Sequence, residues 1–289
     1  DLAVRVESEI WPRILIELNK KMVPSFLFNA RFSKKSLKKL ENQAASARFI
    51  FSLFNEIHVQ ETKTLEKLIN IGIPSENLAL TGSLKDSAKK LDFDEHIMKQ
   101  FLKAAAKQNI WLAACTHSGE DEIVLKAHKK IGGILLIAPR HVERGKYIAK
   151  LSRSMGFTTQ LRSEVPELQK ETVVYIADTM GEMGLWYSMV NVAFIGGSLV
   201  ERGGHNPVEA AQLETFILHG PFTHNAEEKY YQLNSLGIGV QIENADILAD
   251  ELKIFRNKDP NKEFKRFKSF LQQNDTALIT ALDTIRLAI

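Results

Sequence analysis

The sequence lacks the marks of several large protein classes. Of its 289 residues one is a cysteine, Cys115, so no intramolecular disulfide framework can form, and a reducing compartment fits. No stretch approaches the roughly 18 uninterrupted apolar residues that a membrane-spanning helix needs. No short repeat or low-complexity tract is present, and no secretory signal is visible. The chain opens at Asp1-Leu2-Ala3-Val4-Arg5-Val6, which reads as a strand in mid-pattern, as an N-terminally truncated chain would. Neither sign of charge dominates: 38 Lys and Arg against 35 Asp and Glu leave a net charge of +3. That is too mild to point to nucleic acid and leaves room for anionic ligands. What remains is the balance of an ordinary globular protein, with 44% hydrophobic and 25% charged residues. The length exceeds that of one usual hydrophobic core and implies two domains.

Along the chain, short β-rich runs alternate with longer amphipathic stretches, the pattern of parallel sheets with crossover helices. In the first part the pattern predicts strands at Leu2–Val6, Ser25–Phe28, Arg48–Leu53 and Asn77–Thr81, and helices at Pro12–Lys20, Lys35–Ala47 and His58–Ile71. Lys34, Lys35, Lys38 and Lys39 read as a solvated helix face. A polar helical stretch from Lys89 to Lys107 precedes a second series, with strands at Ile110–Ala114, Ile134–Ala138, Thr172–Ala177, Val190–Ile195, Thr215–Leu218 and Ile238–Ile242. From Ala245 onward the pattern is helical throughout. A boundary near 86–92 divides the chain into domains at 1–88 and 89–289. The first has too few strands to close a sheet comparable to the second, so it is expected to be incomplete.

In open α/β sheets ligands bind beyond the carboxyl ends of the strands, and the unusual polar clusters fall there. They are Thr116-His117-Ser118-Gly119-Glu120, Pro139-Arg140-His141-Val142-Glu143-Arg144, Asp178-Thr179-Met180-Gly181-Glu182-Met183, and Gly196-Gly197-Ser198-Leu199-Val200-Glu201-Arg202-Gly203-Gly204-His205-Asn206-Pro207-Val208-Glu209. Four clusters on one sheet edge describe a site. In the last, two glycine pairs allow close backbone approach, and the helix that follows offers free amides and its dipole to a phosphate. Asn206, Pro207 and Glu209 also satisfy the blander pattern of a capped helix start, with Asn at the N-cap, Pro at N1 and Glu at N3. That pattern leaves the glycine pairs, Arg202 and His205 unexplained, and it is compatible with Glu209 accepting from ribose hydroxyls.

Arg140, after Pro139, can hold a phosphate in a bidentate fork, against the plainer reading of an ion pair with Glu143. Gly181 lets the backbone between Met180 and Glu182 approach a base or sugar, whereas Glu182 alone would be a favourable first-turn acid. In the first domain Glu7, Glu9, Arg31 and Lys85 stand at strand ends, where they suit an anionic acceptor or are ordinary loop charges. Rival chemistries lack their patterns. His117, Glu120, His141 and His205 could ligate a metal, but no H-x3-H or C-x2-C pairing holds two on one element. No G-x-S-x-G elbow marks a serine hydrolase.

These motifs, with Glu7-Ser8-Glu9-Ile10-Trp11-Pro12, Asn29-Ala30-Arg31-Phe32-Ser33, Thr81-Gly82-Ser83-Leu84-Lys85 and Gly220-Pro221-Phe222-Thr223-His224-Asn225, stand in an order and spacing that closely resembles the Kdo (3-deoxy-D-manno-octulosonic acid) transferases of lipopolysaccharide assembly, over about residues 1–235. The resemblance implies an α/β architecture of GT-B type: two Rossmann-like domains facing a cleft, the first incomplete in this chain, with the last helices returning toward it. It implies an inverting transfer of Kdo from CMP-Kdo to the lipid A precursor (lipid IVA), without a metal or other cofactor. It places CMP on Pro139, Arg140, Met180, Gly181, Glu182, Asn206, Pro207, Val208 and Glu209, and transition-state stabilisation on Glu7 and Lys85. It implies that the general base, a glutamate in a Gly-Glu motif, and an N-terminal anchor to the cytoplasmic face of the inner membrane both stand upstream of the position matching Asp1. By itself the chain is then expected to bind donor without turnover. The alternatives are another GT-B enzyme using a UDP-sugar, a sugar-nucleotide epimerase of the same architecture, and a module that binds nucleotide or anionic lipid without turnover.

Overall fold

The structure, a computed structural model, describes residues 1–84, 90–274 and 276–288, with side chains over all of these except 270–274 and 276. It divides into two α/β units, Asp1–Lys89 with Ser269–Ile289, and Lys90–Lys268. Residues from Ser269 on therefore group with the first unit.

In the first unit β1 (Ala3–Val6), β2 (Ser25–Ala30), β3 (Glu56–Val59) and β4 (Leu78–Leu80) form a parallel sheet in that order. β2 is buried along its whole length, which is why it reads as an apolar run without alternation. The helix Pro12–Lys20 starts on a proline, whose missing N–H costs nothing in a first turn. Ser33 caps the helix Lys34–Asn42 by accepting from the Ser36 amide. One face of the sheet packs on Leu15, Phe51, Phe54 and Leu68. On the other, Phe26 and Phe28 meet Ala281, and the Thr284 hydroxyl donates to Glu56 Oε2 at 3.1 Å.

Three expectations for this unit are corrected. Arg48–Leu53 is not a strand but the end of a helix, Ala44–Phe51, and the turn after it. A short apolar run does not by itself distinguish strand from helix. Here Ala47 and Phe51, four apart, both enter the core, and Arg48 Nη1 donates to the Ile71 carbonyl at 3.1 Å, which ties this helix to the end of the next. The strand lies instead on Glu56–Val59, so the helix expected over His58–Ile71 begins only at Thr62. The helix expected over Lys35–Ala47 is two helices, broken at Gln43, where φ is −119° and ψ is 38°.

In the second unit β5 (Ile110–Thr116), β6 (Ile134–Pro139), β7 (Thr159–Leu161), β8 (Val174–Ile176), β9 (Val192–Ile195), β10 (Phe216–His219) and β11 (Gly239–Gln241) make a parallel sheet ordered β11-β10-β9-β5-β6-β8-β7. The chain lays down β5, adds β6 to β8 on one side, then returns to place β9 on the other. The loops leaving β5 and β9 thus flank the point where strand order reverses, the usual ligand position of open α/β sheets. β7 was not expected. It is three residues long, and its buried Gln160 is accommodated by donating to the Val165 and Glu167 carbonyls, both at 2.7 Å. The C-terminal residues form helices Ala245–Phe255, Asn261–Asn274 and Thr276–Ala288.

Candidate functional site

Glu120 organises the edge of the second sheet. It is fully buried in the first turn of the helix Glu120–Ile131. Its Oε2 accepts from the amides of His117 and Gly197, both at 2.8 Å, and its Oε1 from Ser198 and Leu199 at 3.1 and 3.0 Å. Burial raises its pKa, and these four amides act against that rise. One carboxylate therefore pins the loop after β5 to the loop after β9. Gly196 allows the close fit: a Cβ there would stand 2.4 Å from the Cys115 carbonyl. Gly197 holds φ at +69°, which a side chain would strain. The loop closes on itself as the Gly204 amide donates to the Gly197 carbonyl at 2.8 Å, and the Tyr230 hydroxyl donates to the His205 carbonyl at 2.7 Å. The first glycine pair thus folds the loop around an internal carboxylate. The amides of Gly197, Ser198 and Leu199 are taken up there and are not offered to a phosphate.

Above this anchor the His117 and His205 rings lie parallel, their planes 4° apart, with their Nε2 atoms 2.9 Å from one another. His141 meets His117 edge-on at a centroid distance of 5.8 Å. Burial, then the neighbouring histidine and arginine charges, lowers the pKa of both rings, that of His205 to about 4. Of the arginines, Arg144 is committed. It donates to the Thr116 carbonyl at 2.9 Å and forms an ion pair with buried Asp121, which also accepts from Thr116 Oγ1 at 2.8 Å. Arg140 is exposed, and its guanidinium makes no hydrogen bond or ion pair among the described residues. Glu143, its expected partner in the plainer reading, faces His141 at 3.8 Å. Pro139, the residue before Arg140, ends β6 and is buried.

The expected cap positions are shifted by one: Pro207, not Asn206, is the N-cap, without a side-chain cap bond, and Glu209 falls at N2 rather than N3. Asn206 Oδ1 accepts from the Val208 amide at 3.2 Å, across Pro207, ahead of the helix Val208–Gln212. Val208 is buried. Glu209 does not complete a capping box, because its carboxylate makes no hydrogen bond among the described residues. Half-burial raises its pKa. A partly desolvated carboxylate with no internal donor is a group in want of a ligand. Glu209 and Arg140 both act electrostatically on the Cys115 thiol, whose pKa burial pushes up to about 11, yet they do not pair with each other.

Met180 is 75% exposed and Gly181 holds φ at +83° with open space where a Cβ would be, so the backbone here is accessible from outside. Glu182, by contrast, is occupied. Arg162 grips it through Nη2 at 2.6 Å and Nε at 3.2 Å, and Thr179 donates to it as well. Burial raises its pKa, but the Arg162 and Thr179 hydrogen bonds and the Arg162 charge outweigh that, leaving it below the ordinary value. Neighbouring Asp178 accepts from the Ser163 amide and hydroxyl at 2.9 and 2.6 Å. Neither pairing has a local sequence signal: the partners are 20 and 15 residues away. Glu120 stood in a recognised motif, but its role depends on amides 77 to 79 residues downstream.

In the first unit Glu7 follows β1 at φ 61°, a left-handed conformation unusual for a residue with a side chain, and its amide donates to the Phe28 carbonyl at 2.9 Å. Glu9 accepts from the Trp11 indole at 2.8 Å, and Arg31 stands 3.8 Å from Glu61. Lys85 lies outside the described residues. Among the described residues no group of three His, Cys, Asp or Glu side chains is placed to hold a metal ion, and no helix is long and apolar enough to cross a membrane.

The chain resembles known proteins at both levels. A family model described as 3-deoxy-D-manno-octulosonic-acid transferase (kdotransferase) matches residues 1–88. The 3-deoxy-D-manno-octulosonic acid transferase of Haemophilus influenzae is 30% identical over 297 aligned positions, which cover 99% of this chain and 69% of that protein. Among solved structures, the C-terminal CMP-Kdo binding domain of WaaA from Acinetobacter baumannii matches 64% of this chain and 99% of its own at 25% identity, with a TM-score of 0.50. The UDP-GlcNAc 2-epimerase of Neisseria meningitidis shares the fold, with a TM-score of 0.60 at 14% identity over 99% of this chain and 75% of that one. Two parallel-sheet Rossmann-like units, this likeness of fold and the identity to the Haemophilus enzyme agree: the chain is a glycosyltransferase of GT-B type and belongs to the Kdo transferase family.

Proposed function

We propose that the edge of the second sheet is a CMP-Kdo site, from which Kdo passes to the lipid A precursor with inversion at the anomeric carbon. The observation that carries this is the pair of uncommitted charges, the Arg140 guanidinium and the half-buried Glu209 carboxylate, at an edge where Glu120, Asp121, Arg144 and Glu182 are internally satisfied. Glu209 accepts from the ribose hydroxyls, donors that offset the burial which raises its pKa. Arg140 pairs with the phosphate. The accessible backbone at Met180–Gly181 meets the pyrimidine edge, held in place by the Arg162–Glu182 pair. Asn206 and Pro207 set the helix start, and with it the position of Val208 and Glu209.

In the transfer, the acceptor hydroxyl attacks the anomeric carbon opposite the phosphate and loses its proton to a carboxylate base. The glycosidic C–O bond breaks, and its electron pair moves to the CMP phosphate. Arg140 stabilises that growing charge. Glu7 offsets the positive charge of the oxocarbenium-like sugar or orients Lys85, Lys85 supports developing negative charge or holds an acceptor phosphate, and no metal ion takes part. Because the acceptor is a lipid, the reaction belongs at the cytoplasmic surface of the inner membrane. The test is a thermal-unfolding panel of nucleotides: CMP should raise the midpoint and UDP should not. A UDP preference would replace this reading with a UDP-sugar enzyme of the same fold.

A further inference from the structure

The hydrogen bond between His117 and His205 has a chemical consequence. With Nε2 facing Nε2 at 2.9 Å, one ring must donate and the other accept, so the pair holds a single proton between them. A proton on both Nε2 atoms would break the contact. Any further proton, and any hydrogen bond to a ligand, must therefore go to an Nδ1. Neither Nδ1 has a partner among the described residues, and neither is among the buried unpartnered atoms. Gly197 lies against both rings, where a Cβ would stand 3.3 Å from His205 and 3.4 Å from His117. The pair is thus seated on the same glycine that Glu120 pins.

The charges around the pair are one-sided. The loop after β6 contributes Arg140 and His141, the helix start beyond it Arg144, and the loop after β9 Arg202. Of the carboxylates, Glu120 faces backbone amides, Asp121 is held by Arg144, and Glu209 makes no contact with either ring. Glu143 lies 3.8 Å from His141, but Arg140 and Arg202 have no ion-pair partner among the described residues, and their excess positive charge leaves the pair neutral when empty and favours its protonation once an anion arrives.

We propose that the His117–His205 pair is an anion contact of the donor site that takes up one proton as the donor's phosphate binds. In the empty site the pair is neutral, with one Nδ1–H and one bare Nδ1. On binding, a proton from solvent adds to the bare Nδ1, both Nδ1 atoms become donors, and the pair carries one positive charge beside the phosphate. No other bond is made or broken. The same charge then faces the phosphate as the glycosidic bond breaks. The proposal rests on the CMP-site reading above and adds to it a proton whose uptake can be counted.

Calorimetric titration of CMP into the chain at pH 7.5, in buffers of different ionisation enthalpy, measures that proton directly. The slope of apparent enthalpy against buffer ionisation enthalpy should correspond to uptake of between half and one proton. CMP affinity should fall by up to tenfold per pH unit above neutrality. In His117→Asn and His205→Asn the uptake should vanish and affinity fall by about tenfold. Uptake of no proton by the unmodified chain, or undiminished uptake in both variants, overturns the proposal while leaving the CMP site intact. Failure of CMP to bind at all would instead remove the reading beneath it. If the variants do not fold, long-range proton–nitrogen NMR of the unmodified chain decides: CMP should abolish the signal of the bare Nδ1 and leave the accepting Nε2 as the pair's one unprotonated ring nitrogen, and persistence of the bare Nδ1 signal overturns the proposal.

Discussion

Replacing Glu120 tests whether one buried carboxylate holds the two site loops together. Each of its oxygens accepts two amides, His117 and Gly197 on Oε2, Ser198 and Leu199 on Oε1. Hydrogen bonds to a charged acceptor contribute about 1.5–3 kcal/mol each, but the cost of burying the carboxylate offsets part of their sum. Glu120→Ala orphans all four amides, and breaking a buried charged network of this kind costs about 3–5 kcal/mol. For a unit of this size that lowers the unfolding midpoint by about 10 °C, at some 2–4 °C per kcal/mol. Glu120→Gln is the sharper variant. It preserves shape and two acceptor bonds but turns an NH2 group toward two amide donors, for a loss of about 2–4 kcal/mol. Both variants should also weaken CMP binding, because the loop carrying Asn206 to Glu209 is released at its root. Thermal unfolding and CMP titration read the two effects. A Glu120→Gln protein within about 0.5 kcal/mol of the unmodified chain would refute the anchoring role, since that is the ordinary range for a surface substitution.

Other expectations follow from the same geometry. Gly197→Ala should cost about 1–2 kcal/mol for the left-handed backbone and push a methyl against the two histidine rings, so CMP affinity should fall several-fold while the fold survives; calorimetry and circular dichroism separate the two. Glu182, held below its ordinary pKa chiefly by Arg162, stabilises the fold above the usual carboxyl range, and that contribution is lost as pH falls below 4.5 through the lower folded value. Glu182→Gln should accordingly flatten the acid limb of a denaturation series. His128 is fully buried, accepts from the Trp111 indole at 3.1 Å, and has its pKa lowered by burial to about 4. The unfolded chain therefore binds this proton first as pH falls below 6.5, and a few kcal/mol of stability, on the order of 3, should drain away toward pH 4. His128→Gln should remove one proton's worth of that slope.

The sequence made the second unit more legible than the first because its two central strands, β5 and β6, are long and largely buried and end in polar clusters. Ile110–Thr116 and Ile134–Pro139 extend one or two residues beyond the runs that announce them. In the first unit Arg-Phe-Ile-Phe at 48–51 suits a strand or a helix equally. What decides is remote: the Ile71 carbonyl that receives Arg48. The gathering of the four clusters on one edge was legible, since each follows a strand of one parallel sheet. Their division of labour was not. Glycines that read as a phosphate cradle enclose Glu120, and Glu182 is spoken for by Arg162, because both pairings join residues far apart in the chain. Glu209 is the converse case. Its spacing fits a capping box, but the helix caps on Pro207, one residue later than Asn206, and the Glu209 carboxylate makes no return bond among the described residues.

Calorimetric titration of CMP into Arg140→Ala and Glu209→Ala proteins tests the donor site most directly. Each substitution should weaken CMP at least tenfold, a loss of about 1.4 kcal/mol, with the unfolding midpoint of the empty protein little changed because neither side chain has an internal hydrogen-bond partner among the described residues. Unchanged CMP affinity in both would contradict the assignment of the site.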